Sequence, residues 1–385
     1  MRSSIRSSTG NRFGGLAGLA FAFVFACTVL CSVIPAVAAT PSTLDDAAYA
    51  EVNAALVSGH VVPAYETLAA TTRALDETTT SYCSGDPDTS MEALQQTFRE
   101  TSDAWMGVEH VRFGPAELFM RNLRLNFWPQ ARGKVSDAIA DALSSDEDLK
   151  TKPVSQRSFA VQGLPALEYL VFAAADDGLG LTANAPHCDM AQAISGNMRV
   201  LATDVLTEWT EGDTAFQQVM TQPGPKNTHY QTPSDVTLVL FRSLHDGLQR
   251  VSSLKLIPVL GKDIETARPG LGEAALSNRG VHNIRRNIAA LESLYLGANE
   301  DGLTALTQAN MQDTELDALM RKAFRKTRET ADSISLSLPL AVKDTDERAT
   351  LEKLSKQVRA LRQIVAERLA PALGLSIGFN SLDGD

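Results

Sequence analysis

Histidine and cysteine are scarce in this chain of 385 residues, which carries six of the first and four of the second. No C-x-x-C pair occurs, so a thiolate metal site has no cluster to complete it. H-E-x-x-H, G-x-S-x-G, a P-loop and a strand-borne G-x-G-x-x-G are missing as well, which excludes the standard zincin, serine-hydrolase and nucleotide-binding chemistries. Aromatic residues make up only 6% of the chain, β-branched residues rarely alternate, and no N-G or D-G turn joins two alternating runs. A β-sheet architecture is thereby disfavoured. Positive charge is in deficit too, with 35 Lys and Arg against 46 Asp and Glu and a formal net charge of −11. Such a surface argues against nucleic acid and anionic lipid as partners, and is compatible with cations.

What is present begins with a leader. Arg2, Arg6 and Arg12 form a basic start, Leu16 to Ile34 is an apolar run without acids, and Ala36-Val37-Ala38-Ala39 is a small-residue cleavage site. Residues 1–39 are read as a secretory signal cleaved after Ala38 or Ala39, the alternative being an uncleaved anchor. The mature chain is then exported and soluble, with no further stretch able to span a membrane. Loss of three arginines takes its charge from −11 to −14. Two cysteines survive, Cys83 and Cys188, each in a polar, turn-rich segment. In an oxidising compartment they are expected to form one disulfide, worth about 4–5 kcal/mol on the chain-entropy model. A thiol pair or a pair of metal ligands is the functional alternative.

Apolar residues then recur at spacings of three and four, first from Leu44 to Leu75 with one interruption between Gly59 and Pro63. Similar amphipathic runs cover 88–112, 134–145, 154–175, 188–220, 233–254, 272–298, 313–338 and 345–370. Ser42 or Thr43 can cap the first helix, Thr232-Pro233 reads as an N-cap with proline at N1, and Gly374 and Gly378 break the last helix. The polar stretch 221–235 is the best internal boundary. It divides an N-terminal helical half, 40–225, from a C-terminal half, 226–385. The expected fold is all-α, two packed antiparallel helical-bundle halves with scope for one continuous core.

Chemistry-bearing residues are few. Glu168 stands among Val161, Leu164, Leu167, Leu170 and Val171, with no lysine or arginine between Arg157 and Arg199. A carboxylate there is costly to bury without a cation, a metal or several donors. His60 flanks the break in the first helix, Glu109 and His110 are adjacent in "DAWMGVEHVRFGP", and His245 follows an apolar run. Adjacent helical residues diverge by about 100°, so Glu109 and His110 cannot readily share one ion. Each histidine is open to two readings, an interhelical hydrogen bond or a ligand contact. Glu168, His60, Glu109, His110 and His245 are the candidate metal set. His282, among Arg279, Arg285 and Arg286, suits hydrogen bonding better than a metal. No catalytic residue is assigned.

Four segments together carry a resemblance: "AWMGVEHVRFGPAELFMRNLRLNFWPQARGKV", "SFAVQGLPALEYLVF", "GVHNIRRNIAALESLY" and the terminal "IGFNSLDGD". Over essentially the whole mature chain the sequence resembles the imelysin family of exported bacterial proteins, the imelysin-like peptidases. The resemblance implies an all-α fold in two bundle-like halves, a periplasmic or outer-membrane-associated location, and an association with iron acquisition. It also implies a G-x-H-x-x-E hallmark, whose matching positions are Gly163, Pro165 and Glu168. Proline offers no side-chain lone pair and no backbone N–H, so it should kink or start the helix, and the motif loses its main ligand. The reading is therefore a non-catalytic exported protein. It binds a divalent metal, iron or another ligand, or docks an iron-uptake or envelope partner. A metal-dependent peptidase and a structural envelope protein are the alternatives.

Overall fold

The computed structural model describes residues 44–131, 133–145, 149–173, 180–182, 187–310 and 313–376. The leader and the terminal "IGFNSLDGD", 377–385, lie outside the described residues, as do Ser42 and Thr43. Among the described residues every regular element is helical and no strand occurs. No helix among them is long and apolar enough to cross a membrane.

Several of the longer helices start where a side chain satisfies an N–H that the first turn leaves without a partner. Asp45 accepts from the N–H of Ala48 ahead of α1 (Asp46–Leu56). The chain then passes through a π-helical turn, Val57–Val61, into α2 (Val62–Cys83) without leaving the helical region. The interruption near Gly59 is thus an inserted turn rather than a break. Ser90 caps α3 (Met91–Val108). After the short α4 (Arg121–Leu125) and α5 (Lys134–Ser144), the run 154–175 proves not to be one helix. It consists of two 3₁₀ turns, Val154–Gln156 and Phe159–Val161, followed by α6 (Gly163–Phe172).

The run 188–220 likewise divides into α7 (His187–Thr210) and α8 (Phe216–Thr221). Thr232 and Asp235 form a reciprocal capping box at α9 (Pro233–Gln249), with Pro233 in the first turn as its missing N–H allows. A second π-helical turn, Arg250–Leu256, leads to α10 (Ile257–Leu260). The next helix, α11 (Gly280–Leu296), begins later than the periodicity from residue 272 suggests. The chain closes with α12 (Leu303–Ala309), α13 (Leu316–Asp332), α14 (Leu338–Ala341), α15 (Thr345–Ile364), a third π-helical turn and α16 (Ala370–Ala372). Gly374, at φ +62°, ends it.

In the N-terminal half α2 packs against α3 and α7; in the C-terminal half α13 packs against α15 and α11. Helices also pack across the 221–235 loop, α1 on α9 and α3 on α11. One hydrophobic core therefore runs through both halves, from Tyr65, Phe98 and Trp209 to Phe241, Tyr295 and Phe324. Cys83 and Cys188 are disulfide-bonded, joining the end of α2 to the start of α7 across 105 residues. On the chain-entropy model a loop of that length is worth about 4–5 kcal/mol.

Candidate functional site

Gly163 explains where α6 begins. It sits at φ +71°, and a Cβ there would lie 2.3 Å from the Leu125 carbonyl oxygen and 2.5 Å from that of Arg124. Only glycine allows the helix to start hard against the end of α4. Pro165 follows in the first turn, where a backbone N–H would have no partner within the helix. One helical turn on, Glu168 shares its face. Pro165 and Glu168, with Leu164 and Tyr169, form one wall of a cavity of about 150 Å³. Ser102 and Met106 of α3, Asn126 and Trp128, the 270–276 loop and Asn283 of α11 complete it.

Glu168 is buried, and it meets neither lysine nor arginine. One oxygen, Oε1, accepts from the backbone N–H of Ser277 at 2.8 Å and from the Ser277 hydroxyl at 2.5 Å. The other has no hydrogen-bond partner among the described residues. Burial raises the pKa of this carboxyl above its ordinary value and Glu273 adds to the rise, while the two Ser277 bonds and Arg279 oppose it.

Behind the cavity lies a second set of buried charges. Lys255 Nζ donates to Glu109 Oε2 at 2.7 Å and to Glu273 Oε2 at 2.8 Å, beside the Met106 sulfur and 5.6 Å from the centre of the Trp128 ring. Glu273 also accepts from Asn126 and Asn283, at 3.1 and 3.0 Å. Glu109 accepts from Arg250 at 2.9 Å and from Asn287 at 3.1 Å. Two carboxylates, one ammonium and one guanidinium thus balance, with every carboxylate oxygen occupied. Burial alone would raise the pKa of Glu109, but Lys255 and Arg250 outweigh it and hold the carboxyl below its ordinary value.

The five candidate metal ligands are not gathered into one site. Glu109 and His110 diverge at the end of α3, as adjacent residues do. Glu109 turns to Lys255 and Arg250, whereas His110 Nε2 meets His60 Nε2 at 2.8 Å. His60, brought inward by the first π-helical turn, bonds Ser293 through Nδ1 at 3.2 Å. Burial lowers the pKa of His60 to about 4, and that of His110 falls well below the ordinary histidine value, with His60 adding to the effect. One ring of this neutral pair donates and the other accepts. His245 lies elsewhere, bonding Asp246 at 2.9 Å through Nδ1 and accepting from Arg362 at 3.1 Å through Nε2. His282 contacts Asp103, which Arg279 also binds.

Among the described residues no three His, Cys, Asp or Glu side chains form a group able to hold a metal ion. Pro165 supplies no side-chain lone pair, and one oxygen of Glu168 is already taken by Ser277. The residues present do not fit a resident catalytic metal at this motif. Sequence reasoning missed Lys255, Arg250, Glu273, Asn126, Asn283, Asn287 and Ser277. The one available signal was Lys255 itself, a lysine within the apolar run "SSLKLIPVL".

The model of the family described as Imelysin matches residues 61–365. The chain belongs to the imelysin family. Of relatives, the iron-regulated protein A of Synechococcus elongatus is 26% identical over 247 residues, a match spanning 64% of each chain. Two crystal structures share the fold. An imelysin-like protein from Psychrobacter arcticum 273-4 superposes with a TM-score of 0.71 at 21% identity, covering 88% of this chain and 100% of the other. A protein from Parabacteroides distasonis ATCC 8503, assigned as an iron-regulated protein A precursor, gives 0.69 at 16% identity, covering 85% and 97%. The matched segment contains Glu109, Gly163, Pro165 and Glu168.

Proposed function

We propose that this chain is an exported, non-catalytic binding protein of an iron-linked process in the bacterial envelope, acting in the periplasm. Its ligand, in this reading, is a small cation or a small cationic group held at Glu168. The observation that carries the reading is the unshared Glu168 oxygen on the wall of a 150 Å³ cavity whose other carboxylate, Glu273, is fully occupied. A buried carboxylate without a cation is unfavourable, and a positive ligand entering the cavity supplies the missing partner. The link to iron rests on the names of the Synechococcus and Parabacteroides proteins, and the export on the leader and on the word precursor in the latter name. Against peptidase chemistry stand the proline at 165 and the donor set around it.

The test is calorimetry of the mature protein with ferrous iron, comparing wild type with Glu168→Gln. Saturable binding by the wild type, weakened at least about tenfold in the variant (about 1.4 kcal/mol), is expected. Equal binding by both proteins removes Glu168 from the site. Metal-dependent cleavage of a peptide substrate that disappears in Glu168→Gln would overturn the non-catalytic assignment.

A further inference from the structure

A second cavity, of about 430 Å³, opens on the far side of Glu109 from the motif. Three guanidinium groups line it, those of Arg112, Arg242 and Arg250. Their hydrogen bonding is almost unused. Arg250 gives one N–H to Glu109, and its Nε is buried without a partner. Arg112 has only a 3.8 Å ion contact with Glu117, which is itself engaged by Asn122 at 2.6 Å. Arg242 has no hydrogen bond or ion pair among the described residues. Arg112 and Arg250 are largely withdrawn from water, their side chains 30% and 20% exposed. Burial, with the Arg250 charge adding to it, lowers the pKa of Arg112 from its ordinary value.

Two mutually repelling guanidinium groups with idle donors form an unfavourable arrangement that a shared anion would relieve. Ser243 strengthens the case. It is buried, lines the same cavity, and has no hydrogen-bond partner among the described residues. His110 also contributes to the wall, and its Nδ1 is buried without a partner.

We propose that this cavity binds a small organic oxyanion, its carboxylate or phosphate group held by Arg112, Arg242 and Arg250 with the Ser243 hydroxyl. Guanidinium forks match both groups, since each offers two oxygens at the right spacing. The cavity exceeds what an inorganic ion fills, and Phe113, Val239 and Leu254 give an organic portion an apolar wall. Glu117 and Asp246 also line the space. Three cations against two carboxylates favour a ligand of low charge over a polyanion.

The site is tested by calorimetry on the full exported chain with inorganic phosphate and, separately, with benzoate. No metal ion is present, so the outcome is independent of the first cavity. Saturable binding of either probe is expected, with affinity reduced at least about tenfold in Arg242→Gln and in Arg112→Gln. Binding should be unchanged in Arg359→Gln, an exposed arginine elsewhere. Phosphate alone binding assigns a phosphate-bearing ligand, and benzoate alone a carboxylate. Arg242 is exposed and unpaired, so its variant keeps the fold even if Arg112→Gln unfolds. Failure of both probes to saturate, or wild-type affinity in Arg242→Gln, overturns the proposal.

Discussion

Glu109 and Glu168 are both buried glutamates, one bridged to Glu273 by Lys255 and the other lining the same cavity as Glu273, yet they are held in opposite ways. Glu109 meets an ammonium, a guanidinium and an amide, and its pKa is driven down. Glu168 meets one serine, and its pKa is driven up. The same residue type therefore does two jobs in one neighbourhood. Where cations come from the second π-helical turn, the carboxylate ties α3 to the C-terminal half as a closed network. Where only Ser277 is offered, the carboxylate keeps unused capacity on a cavity wall. Buried charge by itself does not mark a binding site; incompletely compensated buried charge does.

The largest test of that contrast is Lys255→Met. A methionine fills much of the volume but leaves Glu109 and Glu273 facing one another without their shared ammonium. Removing one partner of a buried ion pair typically costs about 3–5 kcal/mol, and a loss of that size is expected in urea unfolding. A loss below about 1 kcal/mol would show that Glu109 is no better anchored than Glu168, and the comparison would collapse.

The next effect concerns the His60–His110 pair that borders the network. Both histidines are buried neutral, with folded pKa values below the ordinary 6.5. The unfolded chain then binds protons that the folded one refuses. The stability this confers is complete above about pH 6.5 and is lost as the pH falls through that range. For His60 alone, whose pKa is about 4, the loss is on the order of 3 kcal/mol by pH 4. Chemical denaturation between pH 7.5 and 4 should follow this slope, and His60→Gln should flatten it. A wild-type profile that stays level over that window would mean that the pair opens to solvent or charges without penalty.

How much of this was legible beforehand divides along the same line. The all-α fold followed from spacing, because an amphipathic stripe is a local property of each helix. The division of the 154–175 segment has a non-local cause: Gly163 is needed at positive φ against Leu125, a contact 38 positions away that periodicity does not carry. Glu168 stood out because no cation lies near it in sequence, and in the structure no lysine or arginine side chain bonds to it. Its actual partner is a backbone N–H and a serine 109 positions away, which carries no pattern. The partners of Glu109 are 141 and 146 positions away, delivered by a π-helical turn inside an otherwise regular amphipathic run. Periodicity reports which face of a helix is buried, not which distant charge is buried with it.

The smallest expected effect is also the most discriminating, and it is the stability of Glu168→Gln. The amide oxygen of glutamine can still accept from Ser277, so the hydrogen bonds survive while the charge is removed. A carboxyl whose folded pKa lies above its unfolded value near 4.5 binds its proton more tightly in the folded state. Its ionisation therefore weakens the fold as the pH rises through the folded pKa, and protonation restores stability on the way down. Glu168→Gln escapes this penalty. At pH 7.5 the variant should match or exceed the wild type, by no more than about 1 kcal/mol. That difference should shrink towards zero as the pH is lowered below the ordinary carboxylate range. The acid loss from His60 and His110 is common to both proteins and cancels when their urea midpoints are compared at each pH. A variant destabilised by several kcal/mol at neutral pH would instead place Glu168 beside Glu109 as a structural tie, and the cavity would lose the one group that gives it an appetite for a cation.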